Sequence, residues 1–99
     1  MTYIEEIKRE IDSINGKIRR RNAKILLNKK RIKDLTNKNN QSYNLATEAD
    51  IVIAESEIKN LELEITVLKH QRDTELMPIM DLYKKEIQKM NESQPGDEY

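Results

Sequence analysis

The sequence predicts an all-α protein, an antiparallel two-helix coiled-coil hairpin that dimerises into a four-helix bundle. Isoleucines recur every seven residues in both halves of the chain, an Asn-rich stretch separates the halves, and the halves carry opposite net charges. Charged residues make up 36% of the 99 residues, and Cys, Trp and Phe are absent. This composition is typical of long helices and coiled coils, because the aromatic anchors of a globular core are missing.

The first helix is predicted over about residues 3–36. Thr2 and Glu5 have the spacing of a capping box, in which each side chain bonds to the other residue's backbone N–H. Arg21 and Asn28 interrupt the apolar stripe, and Gly16 costs the helix about 1 kcal/mol relative to Ala, but the pattern continues past all three. The stripe consists of Ile4, Ile11, Ile18, Ile25 and Ile32, with Ile7, Ile14 and Leu35 three positions further on.

A turn is predicted at about residues 37–45, where the apolar periodicity stops. Asn, Ser and Thr side chains are frequent there, and they form local bonds to the backbone that compete with a helix. The stretch contains no Gly or Pro, so one uninterrupted helix remains the alternative.

The second helix is predicted over about residues 46–90, with Asn44 or Thr47 as its N-cap. The heptad positions change phase at Arg72 and Glu75, and Pro78 follows, so a kink or break is expected between residues 74 and 78. Residues 1–90 therefore form the hairpin, and 91–99 are expected to be a flexible acidic tail. The second apolar stripe consists of Ile51, Ile58 and Ile65 with Ala54, Leu61 and Leu68, followed by Leu76, Met80 or Ile79, Tyr83, Ile87 and Met90.

The pairing of the two helices follows from a turn centred near residue 41 or 42. Residue i should then lie beside residue 83 − i, which places Ile32 beside Ile51 and Arg21 opposite Glu62. Arg72 should lie opposite Ile11, between Glu10 and Asp12. Both arginines that interrupt the stripes would thus have acids within reach, and this match favours the antiparallel hairpin over a parallel dimer.

The charges divide sharply along the chain. Residues 1–40 hold twelve Lys or Arg and five Asp or Glu, whereas 41–99 hold six and thirteen, so the halves carry +7 and −7. Two interpretations are open for the basic run 17–33: neutralisation by the second helix, or contact with nucleic-acid phosphates. No aromatic residue interleaves the run to stack on bases. The candidate nucleic-acid contacts are Arg19, Arg20, Lys24, Lys29, Lys30 and Arg31.

Apolar residues outside the stripes indicate an interface. They make each helix apolar over a wider arc than a two-stranded seam needs, which favours homodimerisation over the alternative of docking another protein. Four of them, Leu26, Leu27, Val52 and Ile53, should cluster near the turn. The candidate interface residues are Leu26, Leu27, Val52, Ile53, Leu63 and Val67. A third candidate, the methionine-rich region after the phase change, comprises Met77, Met80, Tyr83 and Met90.

Catalytic chemistry has few candidate groups. His70 is the one histidine, and Asp73 and Thr74 at helical spacing do not complete a metal site. No nucleophile lies beside a base and no Gly-rich phosphate loop occurs. The chain is therefore predicted to be no enzyme, with no metal, no cofactor and no small-molecule substrate.

The functional prediction is a coiled-coil protein–protein interaction module, an adaptor, scaffold or inhibitor that binds itself and an unidentified protein. The alternative is a nucleic-acid-binding protein that uses the basic helix 17–33. Charged residues near the N-terminus and the lack of a long apolar stretch predict no membrane partner, and the absence of cysteine favours a cytoplasmic location. Frequent Ile, Lys and Asn suggest a phage or mobile-element origin.

Overall fold

The computed structural model describes residues 2–93, which form a long helical hairpin and contain no strand. Helix α1 spans Tyr3–Gln41, α2 spans Leu45–Gln71, a π-helical segment spans Arg72–Leu76, and α3 spans Met77–Ser93. Because α1 packs along α2, the predicted all-α helical hairpin is confirmed. Of the predicted tail, residues 91–93 belong to α3 and 94–99 lie outside the described residues.

The start of α1 is the predicted capping box. The Thr2 hydroxyl accepts a hydrogen bond from the Glu5 N–H at 3.3 Å, and the Glu5 carboxylate accepts one from the Thr2 N–H at 3.3 Å. These two bonds satisfy backbone donors that have no partner inside the helix.

The turn is shorter than the sequence predicted, because α1 continues to Gln41 instead of ending near residue 36. Asn39 explains the extension: its Oδ1 accepts from the Asn44 N–H at 2.7 Å, and its Nδ2 donates to the Glu48 carboxylate at 3.0 Å. Asn44 is the N-cap of α2, and its side chain accepts from the Ala46 N–H at 2.8 Å. Residues 42–44 alone form the connection, and the predicted turn at 37–45 was too long.

The register of the hairpin also differs from the prediction. Three polar contacts cross between the arms: Arg21 to Glu64, Arg72 to Asn15 and Asn39 to Glu48. The residue numbers of these pairs add to between 85 and 87, so residue i lies level with about 86 − i, not 83 − i. The shift arises because the turn centres on residue 43. Ile25 consequently lies level with Leu61, not Ile58. The heptad position that Ile25 occupies on α1 thus meets the other apolar heptad position, that of Leu61, on α2, as antiparallel coiled coils require.

The core is a single seam between the two arms. Every buried core side chain keeps some exposure, between 3% and 8%, and none in the described part falls below 2%. The seam therefore has the thickness of one helix pair, and the outer faces of both arms meet no third layer of the chain. Its buried cluster consists of Ile4, Ile7, Ile14, Ile18, Ile25, Leu61, Ile65, Leu76 and Met80.

The expected irregularity near Pro78 is a π-helical segment and not a break. The Met77 N–H bonds to the Arg72 carbonyl, five residues back, and helical bonding continues from there into α3. Pro78 has no N–H to give to the Thr74 carbonyl, so the wider turn lies where α-helical bonding would be incomplete anyway. The wider turn also rotates the helix, which returns Leu76 and Met80 to the seam after the heptad phase is lost.

The fold is strongly elongated. The chain extends 84 × 21 × 17 Å with a radius of gyration of 22.9 Å, whereas a compact domain of this length has about 13 Å. None of the described helices is both long enough and apolar enough to span a bilayer.

Candidate interaction surface

The six predicted interface residues all lie at the surface of the hairpin. Their exposed fractions range from 53% at Val52 to 69% at Leu27. Large aliphatic side chains exposed to this extent gain free energy when they are covered, by about 25 cal/mol for each Å² removed from water. The structure thus leaves the widened apolar arcs of both arms open to solvent.

These residues do not form one patch near the turn, contrary to the sequence expectation. Leu26 and Leu27 are neighbours on α1, and neighbours on an α-helix point about 100° apart. They therefore lie on different sides of the hairpin, and Val52 and Ile53 are separated in the same way on α2. Sequence spacing already contained this information, but the expectation considered only how near the turn the residues lie.

One side of the hairpin carries a continuous groove. Its first part lies between Arg20 and Lys24 of α1 and Glu57, Asn60 and Glu64 of α2. A second part continues over Leu63, Val67 and Leu68, and the Arg21–Glu64 pair borders both parts. The groove therefore brings two of the predicted interface residues together with two of the predicted nucleic-acid contacts.

Arg21 forms the central ion pair of this groove. Its Nε donates to Glu64 Oε2 at 2.9 Å, and its Nη1 donates to the Lys17 carbonyl at 3.2 Å. Glu62, the partner predicted from the earlier register, is not the one Arg21 contacts. Both side chains remain partly open to water, with 29% and 52% of their surface exposed, so the pair contributes at most about 1 kcal/mol.

The rest of the basic run is not neutralised by direct contact. Within residues 2–93, the six candidate nucleic-acid contacts form no ion pair of 4.0 Å or shorter, and all six are exposed. Their spacing places them around the helix instead of on one stripe: Arg20, Lys24 and Arg31 share the groove side, whereas Arg19 and Lys29 point away from it. Positive charge therefore surrounds α1 over the middle of the hairpin.

Arg72 is fixed at the point where α2 passes into the π-helical segment. Its Nη1 donates to Asn15 Oδ1 at 2.8 Å and its Nε to Asp73 Oδ1 at 2.8 Å. Glu10 and Asp12, which the sequence placed beside it, are not its partners, because the register differs. The hydrogen bond from Arg72 lowers the pKa of the Asp73 carboxyl, and the positive charges of Arg72, Lys69 and His70 act in the same direction.

His70 lies exposed on the helix surface, where its carbonyl accepts a hydrogen bond from the Thr74 hydroxyl at 2.7 Å. No cluster of three or more His, Cys, Asp or Glu that could hold a metal ion occurs in the part of the chain that the structure describes.

The methionine-rich region is divided between the seam and the surface. Met80 is buried in the seam, whereas Met77 and Tyr83 keep 37% and 41% of their surface exposed. Met77 and Met80 line a shallow groove against Lys8 and Ile11 of α1. Met90 is 60% exposed.

The described residues define an all-α helical hairpin with a charged groove along one side. Comparison with known proteins found no matching family model, no matching curated protein and no matching solved structure.

Proposed function

We propose that the chain is a non-enzymatic protein–protein interaction module, a coiled-coil hairpin that dimerises into a four-helix bundle and acts in the cytoplasm as an adaptor, scaffold or inhibitor. The observation that carries the proposal is the exposure of six aliphatic side chains outside the seam, each more than half open to solvent. Contiguous exposed apolar side chains mark surfaces that other chains cover, and Leu63 and Val67 adjoin in the groove.

The accessible area supports the same proposal. The chain exposes 7830 Å², whereas a compact monomer of 11.7 kDa is expected to expose about 5,900 Å². Burying a standard interface would remove about 800 Å² from each partner, which this surface can supply. A four-helix bundle would also add the second layer that the open seam lacks.

The proposal assigns no enzymatic activity, cofactor or small-molecule substrate. Its support is chemical: His70 is exposed on a helix surface, and the three grooves described above are lined by no nucleophile paired with a base. Arg21 and Glu64, the strongest polar pair of the groove, are held by each other.

Nucleic-acid binding is the second candidate, favoured by one observation. The exposed Lys and Arg side chains of residues 17–33 make few contact ion pairs in the described structure, so they are available to phosphates. Against it, acidic residues of α2 line the same groove as Arg20 and Lys24. A phosphate backbone entering that groove would meet like charge.

The first experiment is to measure the solution mass of the full chain by light scattering and sedimentation equilibrium at several concentrations. We expect a dimer with twice the 11.7 kDa chain mass at micromolar concentration. A monomer at every accessible concentration would contradict the dimeric part of the proposal.

The second experiment separates the two candidate functions. Labelled duplex and single-stranded DNA are titrated with the protein at 50 and 200 mM salt, values chosen because phosphate binding is steep between them. We expect no micromolar binding at either salt concentration. Binding at 50 mM that weakens by about a hundredfold or more at 200 mM would support the nucleic-acid candidate instead.

A further inference from the structure

One side of the hairpin combines apolar residues with an ordered charge pattern. The groove residues Arg20 and Lys24 lie on one helical stripe of α1, and Leu27 and Arg31 continue that stripe at intervals of three and four residues. On α2, Ile53 and Val67 continue the stripe of the groove residues at the same intervals of three and four residues. We call this side the mixed face; it consists of Arg20, Lys24, Leu27 and Arg31 on α1, and Ile53, Glu57, Asn60, Leu63, Glu64 and Val67 on α2.

The charges of the mixed face are separated by helix. Between residues 20 and 31 its α1 half contains only basic charges, at Arg20, Lys24 and Arg31, and Asp34 follows one step closer to the turn. Its α2 half contains only acidic charges, at Glu57 and Glu64. Among the described residues, no basic member of this face forms a contact ion pair. The face is thus a dipolar surface, positive along one edge and negative along the other, with aliphatic side chains between the charges.

We propose that a second copy of this chain covers the mixed face, related by a two-fold axis that runs parallel to the helices, so that both turns lie at the same end of the dimer. This inference rests on the self-association proposed above and adds its geometry. Rotation about such an axis exchanges the left and right edges of the face and preserves the direction along it. The basic edge of each copy therefore lies on the acidic edge of the other.

The register of the hairpin makes this match extend along the whole face. Because residue i lies level with about 86 − i, Lys24 of one copy lies level with the stretch between Asn60 and Glu64 of the second copy. Arg31 similarly lies level with the stretch between Ile53 and Glu57. The helices that meet run antiparallel, so their dipoles also oppose favourably. Neighbouring helices in the resulting four-helix bundle are all antiparallel.

The other two-fold arrangement fails on charge. An axis perpendicular to the helices would place the turns at opposite ends and would lay α1 on α1. The basic run 17–33 holds nine Lys or Arg and no acid, so its two copies would then repel each other. Like charges that face each other across an interface act against association and therefore select the same-end arrangement.

The experiment measures the distance between the two turns. The chain has no cysteine, so Ser42→Cys, at an exposed position of the turn, gives one spin label per chain for double electron–electron resonance. In the same-end dimer the labels should lie within about 30 Å, because packed helices are about 8–10 Å apart. An opposite-end dimer centred on the mixed face would separate them by about 50 Å, from the 1.5 Å rise per residue. Tyr3→Cys, at the other end of the hairpin, supplies an independent second distance.

The location of the interface is tested with a matched pair of variants. Leu27→Lys changes the mixed face, and Leu26→Lys changes a neighbour of equal exposure, 69% against 68%, on the other side. We expect Leu27→Lys to raise the dimer dissociation constant about a hundredfold, since the dimer contains two copies of Leu27, and Leu26→Lys to change it less than about threefold. Circular dichroism shows whether both variants remain helical.

Each outcome has a defined meaning. A labelled dimer with short turn-to-turn distances, dissociated selectively by Leu27→Lys, supports the inference. A dimer with the long distance, or one dissociated by Leu26→Lys and not by Leu27→Lys, overturns the inference and leaves the proposed self-association standing. A chain that is monomeric throughout overturns both.

Discussion

Arg21 and Glu64 join the two arms of the hairpin through one hydrogen bond of 2.9 Å between the guanidinium Nε and the carboxylate Oε2. Arg21 occupies a position of the seam repeat where the two preceding heptads place Ile7 and Ile14. Its charged end bonds to Glu64 at the side of the seam. The pair therefore specifies which residues of the two arms lie level. Because Arg21 is charged, the seam buries less apolar surface at this position than it would with an aliphatic residue.

Replacing Arg21 with Leu should increase stability. The new side chain would lie level with Ile65, a buried seam residue, and would extend the apolar stripe from Ile14 by one heptad. We expect the free energy of unfolding to rise by about 1 kcal/mol, because aliphatic burial exceeds the value of an exposed ion pair. Urea denaturation followed by circular dichroism measures the change. Glu64→Gln is the control and should alter stability by less than about 1 kcal/mol; a less stable Arg21→Leu protein would show that the ion pair dominates.

Gly16→Ala should stabilise α1. Gly16 is buried, but a Cβ there would meet only the ends of two flexible side chains, Arg20 Nη1 at 3.3 Å and Arg19 Nη2 at 3.7 Å. Both can move, so the gain in helix propensity of about 1 kcal/mol should be realised. Thermal and urea unfolding test it, with Ala23→Gly at an exposed α1 position expected to lose about the same amount. Loss of stability on Gly16→Ala would indicate that the arginines are fixed.

Asn39→Ala should destabilise the turn. The amide side chain holds the Asn44 N–H and the Glu48 carboxylate together, and both bonds end with the substitution. We expect a loss of about 1–2 kcal/mol in the free energy of unfolding. The neighbouring Asn40 is exposed, so Asn40→Ala should change stability by less than about 0.5 kcal/mol. Equal effects of the two substitutions would contradict the role assigned to Asn39.

These same residues show which parts of the fold the sequence predicted and which it did not. The isoleucine repeat predicted both helices, and Thr2 with Glu5 predicted the start of α1, because both depend on spacing alone. The antiparallel packing was predicted from the Asn-rich turn and from the acids expected opposite Arg21 and Arg72. The end of α1 was missed, since Asn39 favours a turn by composition and here stabilises a continued helix through residues five and nine positions away. Because α1 ends later than predicted, the observed register differs from the predicted one by three residues. Glu62 was therefore predicted as the partner of Arg21, whereas the partner is Glu64.

The exposed apolar residues were predicted from the sequence, whereas the groove beside them was not. Leu27 and the other off-seam candidates are exposed, and this exposure follows from the repeat, which shows which positions the seam does not use. The groove between Arg20 and Glu64 could not be derived, because it depends on the register between the arms. The opposite charges of the two halves were the available signal, and they left open whether the basic run pairs within one hairpin or contacts nucleic acid. The described residues form one contact ion pair between α1 and α2.

The Asp73 carboxyl should titrate at a lower pH than an ordinary aspartate. The hydrogen bond from Arg72 favours its charged form and lowers its pKa from the usual 3.8. A carboxyl whose pKa is lower in the folded state contributes stability above the unfolded pKa and loses it as pH falls through the folded pKa. The window is therefore acidic, from about pH 3.8 downward. NMR titration of the side-chain carboxyl tests this: in Arg72→Gln the midpoint should move up toward 3.8, and an unchanged midpoint would contradict the assignment.

The π-helical segment should behave as a device that accommodates one surplus residue. A π turn closes its hydrogen bond over five residues where an α turn uses four, so deleting Thr74 together with Pro78→Ala should convert Arg72–Leu76 to ordinary helix. Leu76 and Met80 would keep their direction toward the seam, and the free energy of unfolding should fall by less than about 1 kcal/mol.

Deleting Ser56 from the regular part of α2 is the matched control. With no wider turn to absorb it, that deletion rotates every following residue by about 100°, turns Leu61 and Ile65 out of the core, and should cost more than about 4 kcal/mol. Urea denaturation of both deletion variants measures the difference; equal losses would show that the π segment is required for stability in its own right.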